Sequence, residues 1–550
     1  MKKAQPNRAP ATDFNLGGGQ AEADPLLQRA FYESGQYAAM ASREDPRCFI
    51  VGRTGSGKSA MLQRIEEENP DHVIRINPED LSLPYISDLG VVRFLAAMDV
   101  HLDPFFIALW KHVLLVEIIR HRYKVNSPAA KQNFFSALRD KISRDRSKAA
   151  ALEYLDDFDG SFWCETDERV RDITTRFEEQ VKKEAGGKIS VPSIGDISLS
   201  GADTRTLGGE TKAQQAERFQ RIVNETQLPR LNKMIGVLDD DILDSPQNFT
   251  YVIIDDLDRD WVDEQILNSL IRCLFRAVLD LKRVQNLKVL VALRTNIFDQ
   301  LDFGARTGGQ EEKFRAVKMI MRWTRADLEE LVGIRAASAA DVRGISGISS
   351  AKDLLPATNK TRGNPLDYIL RRTLMRPRDA ISYFNECFSL SAGRPKITWD
   401  NIHDAEQSYS KDRLLALRDE WKPSFPDIDQ VFNLFEGVST KMERGEFYSK
   451  LDEAALLPAN QDFSGTVWMT VLSEAIWNGS DGISGREYHG LSKLLYDIGF
   501  IGMIRRNGGG EIYAQNAPGQ LDRPSALDDV MQFTVHPAFR SALDIKPDNG

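Results

Sequence analysis

The sequence predicts an α/β fold whose core is a parallel sheet, and three observations support that prediction. Short apolar runs at residues 47–51, 249–254 and 287–293 have the composition of buried strands. Each run ends at a glycine or at polar residues, as strands do at the ligand-binding edge of a parallel sheet. A segment with helical spacing of apolar residues, 60–65, follows the first run.

Length and composition describe an ordinary globular protein of several domains. The 550 residues exceed what one core organises, and hydrophobic residues make up 42% of them. The net charge of −10 argues against a surface covered with basic residues for indiscriminate nucleic-acid binding, although it allows a local basic patch. The four cysteines are far apart and form no CxxC pair, so neither a zinc site nor a disulfide framework is predicted.

The most apolar run of the chain, residues 104–121, is predicted to be a buried helix. It carries Lys111, His112 and Glu117, and it is too short to span a bilayer. Residues 1–13 are polar and lack the apolar centre of an export signal. We therefore expect a soluble cytoplasmic protein without a membrane partner.

Residues 52–59, GRTGSGKS, fit the pattern GxxxxGK[ST] between a predicted strand and a predicted helix. Glycines let the backbone N–H groups surround a phosphate, and the helix N-terminus adds partial positive charge. Lys58 is expected to reach the β- and γ-phosphates, and the Ser59 hydroxyl to bind Mg²⁺. The predicted nucleotide-binding residues are Gly52, Thr54, Gly55, Ser56, Gly57, Lys58, Ser59 and Ala60.

The strand predicted at 249–254 leads directly into two carboxylates, Asp255 and Asp256. Asp255 is expected to hold Mg²⁺, and Asp256 stands where a carboxylate can polarise the attacking water. The alternative is an acidic turn that only caps the next helix. For Asp258 and Arg259, a structural ion pair is as good a prediction as a catalytic role.

A third strand, 287–293, ends in Arg294, Thr295 and Asn296. Arg294 and Asn296 are candidates for contacting the γ-phosphate or the attacking water. The alternative is that Asn296 caps a helix beginning at Ile297.

These motifs resemble the AAA+-related P-loop NTPases of the KAP and STAND type, and more closely the bacterial P-loop ATPases of conflict and antiphage systems. The resemblance covers the ATPase core well, the C-terminal third loosely and the middle of the chain hardly at all. The segments that carry it are GRTGSGKS, YVIIDDLDR, VLVALRTN, RRTLMRPRD (371–379), residues 16–37 and residues 533–543.

The resemblance implies a helical lid whose arginine contacts the γ-phosphate, and Arg376 and Arg378 match that position. An ordinary basic helix start is the alternative for them. Relatives also take an arginine from a neighbouring subunit, for which Arg306, Arg315 and Arg322 lie in the right interval. Asp256 stands where classical AAA+ machines have Glu, and its shorter side chain predicts slow turnover and a switch rather than a motor.

About 170 residues separate the strand predicted at 73–76 from the strand predicted at 249–254, far more than an ordinary crossover. The predicted fold is therefore a P-loop NTPase parallel sheet core with a large mainly helical insert, a helical lid and a C-terminal winged-helix-like domain. The predicted domains are a loose tail (1–25), the first part of the core (26–90), the insert (91–245), the second part of the core (246–335), the lid (336–396) and the C-terminal domain (397–550).

Several features of the last 70 residues are typical of a winged helix. Residues 487–498 have helical spacing, 500–504 are predicted to pair with 511–515 across a glycine-rich turn, and 533–535 are predicted to add a strand. Residues 485–550 contain seven Lys or Arg against eight Asp or Glu, which favours a structural or protein-contact role over DNA binding. His536 is predicted to be a packed or capping residue rather than a metal ligand.

Taken together, the sequence predicts an ATP- and Mg²⁺-dependent switch that hydrolyses ATP, forms homo-oligomers and controls a separate effector protein. The antiphage setting comes from the resemblance alone. The alternative is a DNA-associated ATPase of the origin-binding or loader kind that uses its winged helix on duplex DNA.

Overall fold

The computed structural model divides into two compact units, which we call the sheet unit and the lid unit. The sheet unit comprises Gly35–Gly52 and Met61–Ile320, and the lid unit comprises Met1–Ser34, Arg53–Ala60 and Met321–Gly550. The structure describes residues 14–77, 92, 95, 100–123, 136–140, 179, 217, 220, 228–257, 264–301, 311–391, 396–478 and 485–547.

Five parallel strands form the sheet unit's core, in the order β2-β3-β4-β1-β5. All residues of β1, β3 and β4 are buried, as expected for strands covered on both faces. The predicted parallel sheet is confirmed. The strands are β1 (Phe49–Val51), β2 (Val73–Ile76), β3 (Thr250–Ile254), β4 (Leu287–Leu293) and β5 (Lys318–Ile320).

The strand order brings three chain segments to one edge of the sheet. In β4, Ala292 pairs with Ile50 of β1 and Val289 pairs with Val252 of β3. Because all these strands run in the same direction, the residues that follow them emerge at their common carboxyl edge.

The long apolar run forms a buried helix, as predicted. Trp110 in this helix donates a hydrogen bond to the carbonyl oxygen of Leu270 at 2.9 Å. The buried ammonium group of Lys111 contacts Asp280 and Asn232, each at 2.5 Å, which satisfies its charge. Among the described residues, no helix is long and apolar enough to cross a membrane. The helices that lie wholly or partly in the sheet unit are α1 (Gly35–Ala41), α2 (Lys58–Glu68), α3 (Asp103–Tyr123), α4 (Leu228–Val237), α5 (Glu264–Leu281), α6 (Thr295–Gln300) and α7 (Glu311–Val317).

Of the predicted insert, α3 and α4 are helical where the apolar spacing predicts helices. Residues 133–156 also have the apolar spacing of a helix, and residues 189–209 are rich in turn-forming residues. Most of the first segment and all of the second lie outside the described residues.

A first core of the lid unit is built from helices and from the N-terminal segment. Phe14 is 3% exposed and packs edge-on against Phe388, and Leu16 is fully buried. The expected loose tail through residue 25 is therefore wrong from Phe14 onward, because its apolar side chains fill this core. The helices are α8 (Arg325–Val342), α9 (Ala351–Leu354), α10 (Pro365–Arg371), α11 (Pro377–Leu390) and α12 (Trp399–Trp421).

A second core of the lid unit contains a four-stranded antiparallel sheet in the order β6-β9-β7-β8. The predicted hairpin forms, with Gly502 opposite Tyr513, and β9 is the predicted third strand. The short strand β6 was not predicted; its Met442 pairs with Phe533 of β9. The elements are α13 (Ile428–Asn433), β6 (Met442–Glu443), α14 (Arg444–Ala455), α15 (Thr466–Trp477), α16 (His489–Asp497), β7 (Ile501–Arg505), β8 (Ile512–Tyr513) and β9 (Val530–Val535).

His536 caps the turn that follows β9. Its Nδ1 accepts a hydrogen bond from the backbone N–H of Ala538 at 3.1 Å, and its side chain is fully buried. The capping role predicted from the sequence is therefore confirmed.

Candidate functional site

The glycine-rich loop at residues 52–59, which we call the phosphate loop, follows β1 directly along the chain. The N–H of Gly52 donates to the carbonyl oxygen of Leu293 at 3.1 Å, which continues the pairing of β1 with β4. The loop then turns at Gly55 and Gly57, where φ is +78° and +95°. Glycine is required there because a Cβ disfavours this left-handed region. The helix α2 begins at Lys58, directly after the second turn.

Four successive carbonyl oxygens of the loop accept hydrogen bonds from donors within the lid unit. Lys58 Nζ donates to Arg53 O at 3.2 Å, Arg376 Nη1 to Thr54 O at 2.9 Å, the Arg378 N–H to Gly55 O at 3.4 Å, and Trp323 Nε1 to Ser56 O at 2.8 Å. A planar peptide unit directs its N–H opposite to its carbonyl. Fixing the carbonyl oxygens therefore also fixes the direction of the loop's N–H groups.

A cavity of about 110 Å³ lies against this loop within the lid unit. Residues 55–60 form one wall, and residues of the N-terminal segment between Gly18 and Leu27 form another. Arg335 of α8 and the first turns of α11 complete the lining. The first N–H groups of a helix have no partner inside the helix, so the start of α2 offers donors to an anion here.

Arg378 supplies a guanidinium group to the cavity wall. Its Nε donates to the carbonyl oxygen of Gly19 at 2.7 Å, and its side chain packs against Gly55. Burial, and then the neighbouring charge of Arg376, lower the pKa of Arg378. Burial and a neighbouring positive charge destabilise the charged form of the guanidinium group, and an anion bound beside it would stabilise that form.

Arg376 has different surroundings from Arg378, although both were predicted to contact the γ-phosphate. Its guanidinium is buried between two carboxylates: Nε donates to Asp379 at 2.9 Å and Nη1 contacts Glu420 at 3.1 Å. It supports the loop through Thr54 O and does not line the cavity. The geometry therefore favours a supporting role for Arg376 and a ligand contact for Arg378.

A buried hydroxyl group at the loop has no hydrogen-bond partner among the residues that the structure describes. Ser56 is 3% exposed and lines the cavity, and its Oγ lacks a partner in the structure. The Oγ1 of Thr54 is in the same situation. Leaving a buried hydroxyl unsatisfied is unfavourable, so the loop favours a ligand that brings polar atoms. A phosphate fits this requirement.

Asp255 and Asp256 follow β3 in the sheet unit. Asp255 is 7% exposed, and its Oδ1 accepts a hydrogen bond from the N–H of Asp256 at 2.9 Å. Asp256 has φ of +58°, a left-handed conformation that costs a residue with a Cβ about 1–3 kcal/mol. Such strain at the ligand edge of a sheet is typical of functional residues. Asp258 and Arg259 lie outside the described residues.

In the turn after β4, Asn296 does not cap the following helix, which was the alternative to a functional role. The helix α6 begins at Thr295, with Arg294 in the N-cap position and no side-chain capping bond. Asn296 is 8% exposed and lies inside the first turn, so it is not the helix cap. Its predicted contact with the γ-phosphate or the attacking water stays a prediction. Of the three candidate finger arginines, Arg315 and Arg322 are exposed and Arg306 lies outside the described residues.

Two residues at the phosphate loop were not predicted from the sequence: Trp323 and Glu420. Trp323 bonds the loop carbonyl of Ser56, and Glu420 contacts Arg53 and Thr54. No local motif marks either residue, and Glu420 is 367 residues from Arg53 along the chain.

A family model described as a FunZ-associated C-terminal helical domain matches residues 326–418. The chain is also similar to a putative transposon gamma-delta 80.3 kDa protein of Escherichia coli K12, at 21% identity over 524 residues. The alignment includes 90% of this chain, which spans 62% of that relative's length. Among solved structures, it is similar to the Aeropyrum pernix ORC1 protein in complex with DNA, at 12% identity and a TM-score of 0.28, over 97% of this chain and 94% of that one.

We predict that Gly55→Ala destabilises the protein more than Gly344→Ala does. Both glycines have positive φ, +78° and +66°, but a Cβ at Gly55 would lie 2.8 Å from the Cβ of Arg378, whereas nothing lies within 4 Å at Gly344. The left-handed backbone costs both variants about 1–2 kcal/mol, and the steric conflict adds about 1–3 kcal/mol at Gly55 alone. Thermal unfolding followed by circular dichroism measures the difference. Equal losses would contradict the close packing of Arg378 on the loop.

Proposed function

We propose that this chain binds ATP with Mg²⁺ and hydrolyses it slowly, and that its nucleotide state controls a partner effector. The proposal is carried by the cavity at the phosphate loop, which joins Lys58, the start of α2 and Arg378. Three basic side chains line the cavity, Lys58, Arg335 and Arg378, against the two carboxylates of Glu22 and Asp24. Because Arg335 is paired with Asp24, the remaining positive charge and the helix N-terminus match a polyphosphate better than a neutral ligand. The first turn of α2, an 11-residue helix, adds partial positive charge at the cavity.

For hydrolysis, the proposal assigns the metal to Ser59 and Asp255 and the attacking water to Asp256. Carboxylates and hydroxyls are ligands that Mg²⁺ prefers, and a carboxylate can accept a proton from water. The burial of Asp255 and the strained backbone of Asp256 support functional rather than capping roles. Asn296 and Arg378 are the proposed contacts to the γ-phosphoryl group.

We further propose that the chain acts as a homo-oligomer in bacterial antiphage defence. The resemblance to KAP- and STAND-type ATPases supports both points. The subunit interface would supply an arginine finger to the site, and Arg315 and Arg322 are exposed candidates.

DNA binding through the C-terminal domain is the second candidate, because the hairpin β7–β8 has the arrangement of a wing with Arg505 and Arg506 at its end. The charge around it argues against this role. Of the seven basic residues between 485 and 550, Arg486, Lys493 and Arg540 are held in ion pairs with carboxylates. Retention of the whole chain on duplex DNA at physiological salt would favour the second candidate, and co-purification of a second protein would favour the first.

Lys58→Ala is expected to abolish nucleotide binding without unfolding the chain. The lysine supplies charge to the phosphates, and its side chain lies in the half-exposed loop rather than in a core. Titration with a fluorescent ATP analogue measures the affinity, and Lys360→Ala, a change at an exposed lysine of the lid unit, is the control. A folded Lys58→Ala variant with wild-type affinity would refute the assignment of the phosphate loop.

Binding and hydrolysis are expected to separate at the two aspartates. Asp256→Asn should bind ATP–Mg²⁺ yet hydrolyse it about 10²–10⁴-fold more slowly, because the amide cannot accept the proton of water. Asp255→Asn should instead raise the Mg²⁺ concentration required for hydrolysis. Phosphate release across a magnesium titration tests both variants. Wild-type profiles for both would show that β3 does not carry the catalytic carboxylates.

Hydrolysis per chain should rise with protein concentration, because an arginine finger from a second subunit is worth about 10³–10⁵ in rate. ATP with the Asp256→Asn variant should trap the larger assembly. Light scattering and phosphate release over a range of concentrations measure the two effects. A monomer of constant specific activity would remove the oligomeric step and leave Arg378 as the proposed cation.

A further inference from the structure

Glu420 binds the phosphate loop at two points, although it lies in the last turn of α12. Its two carboxylate oxygens accept hydrogen bonds from Arg53 Nε at 3.2 Å and Nη2 at 3.0 Å, a bidentate arrangement. Oε1 also accepts from the backbone N–H of Thr54 at 3.3 Å. One carboxylate therefore fixes both a side chain and a peptide unit on the first half of the loop.

The same carboxylate contacts Arg376, which directly precedes α11 and donates a hydrogen bond to the loop. Arg376 Nη1 lies 3.1 Å from Glu420 Oε2 and 2.9 Å from Thr54 O. Asp379 holds the other side of this guanidinium and also accepts from Arg413 at 2.9 Å. Thr54 is thus held at its N–H by Glu420 and at its carbonyl by Arg376.

The turn before α11 has the strained backbone that this arrangement requires. Met375 has φ of +52°, a conformation that residues with a Cβ rarely adopt. Asp379 accepts the N–H of Leu374 at 3.1 Å, and Thr373 Oγ1 accepts the N–H of Met375 at 3.2 Å. These bonds hold the turn in the shape that directs Arg376 towards the loop.

The helix that carries Glu420 connects the two cores of the lid unit. Tyr409 of α12 is buried in the first core of the lid unit, and Leu417 and Trp421 are buried in the second core, which belongs to the C-terminal domain. Gly499, which precedes β7, packs against Arg53: a Cβ there would lie 3.1 Å from Nη1. A displacement of the loop therefore has a direct path to the C-terminal domain.

We infer that Glu420 is a positioning residue that sets the phosphate loop and links its state to the C-terminal domain. The part of this inference that concerns the nucleotide state rests on the proposed function, whereas the positioning of the loop does not. Glu420 touches neither the cavity nor any residue placed in hydrolysis, and it acts through Arg53 and Thr54.

The first test follows the loop without nucleotide. Glu420→Gln keeps the shape of the side chain but loses its charge, so amide hydrogen exchange in peptides covering residues 53–60 should become faster. Asp419→Asn is the matched control, because Asp419 is the preceding residue, has a 62% exposed side chain and pairs with Arg418. Unchanged exchange in Glu420→Gln would overturn the inference whether or not the chain binds ATP.

The second test measures affinity for a fluorescent ATP analogue in a double-mutant cycle. Glu420→Gln and Arg53→Gln should each weaken binding by about 10- to 100-fold, and the double variant by no more than the larger single effect. Additive losses, or a loss that follows only a lowered unfolding temperature, would indicate a general structural role and overturn the inference. If the wild-type chain binds no nucleotide while the exchange result holds, the proposed function fails and the positioning of the loop stands.

The third measurement concerns the link to the C-terminal domain. Adding the ATP analogue to the wild-type chain should change hydrogen exchange in peptides covering residues 417–435, and the change should be reduced in Glu420→Gln at saturating analogue. An equal response in both proteins would show that the C-terminal domain does not depend on Glu420.

Discussion

The phosphate loop depends on having its carbonyl oxygens satisfied from outside the loop. Within the loop, which the structure describes throughout, only the carbonyl oxygen of Arg53 accepts hydrogen bonds from the loop itself, from the Ser56 N–H and from Lys58, and carbonyl oxygens without partners are unfavourable when buried. Here Arg376, Arg378 and Trp323 supply three of the donors, and all three lie in the chain after residue 320. The loop conformation is therefore a property of the folded lid unit, and the motif at 52–59 alone does not determine it.

The buried ion pairs around the loop make the stability of the fold depend on pH. Removing two charges from water costs several kcal/mol each, and only close pairing offsets that cost. Burial raises the pKa of Glu420, but the guanidinium groups of Arg53 and Arg376 outweigh this effect and lower it to about 2. The folded-state pKa lies below the usual value of 4.5, so this pairing contributes fully above that pH and is lost as the pH falls towards 2.

The group of buried ion pairs that includes Glu420 and Asp379 has an excess of positive charge. Three guanidinium groups, those of Arg53, Arg376 and Arg413, face the two carboxylates of Glu420 and Asp379. On the cavity side, Arg335 is paired with Asp24, and Lys58 and Arg378 outnumber the remaining carboxylate of Glu22. The surroundings therefore favour a polyanion over a neutral ligand. Since the cluster's carboxylates stay ionised throughout the neutral range, ligand binding rather than pH is the variable that changes the charge at the loop.

Features that depend on a few neighbouring residues could be predicted from the sequence pattern. The phosphate loop, the strands that precede Gly52, Asp255 and Arg294, and the hairpin β7–β8 each follow from a few neighbouring residues, and the structure contains all of them. Contacts between distant segments could not be predicted. Nothing near Phe14 indicates that it packs on Phe388, and nothing near Glu420 indicates its contact with Arg53. The two arginines of MRPRD show the difference most clearly, because they share one motif but only Arg378 reaches the cavity. At the start of α11, Arg378 lines the cavity and Arg376 bonds the loop carbonyl of Thr54, so residues two positions apart have different surroundings.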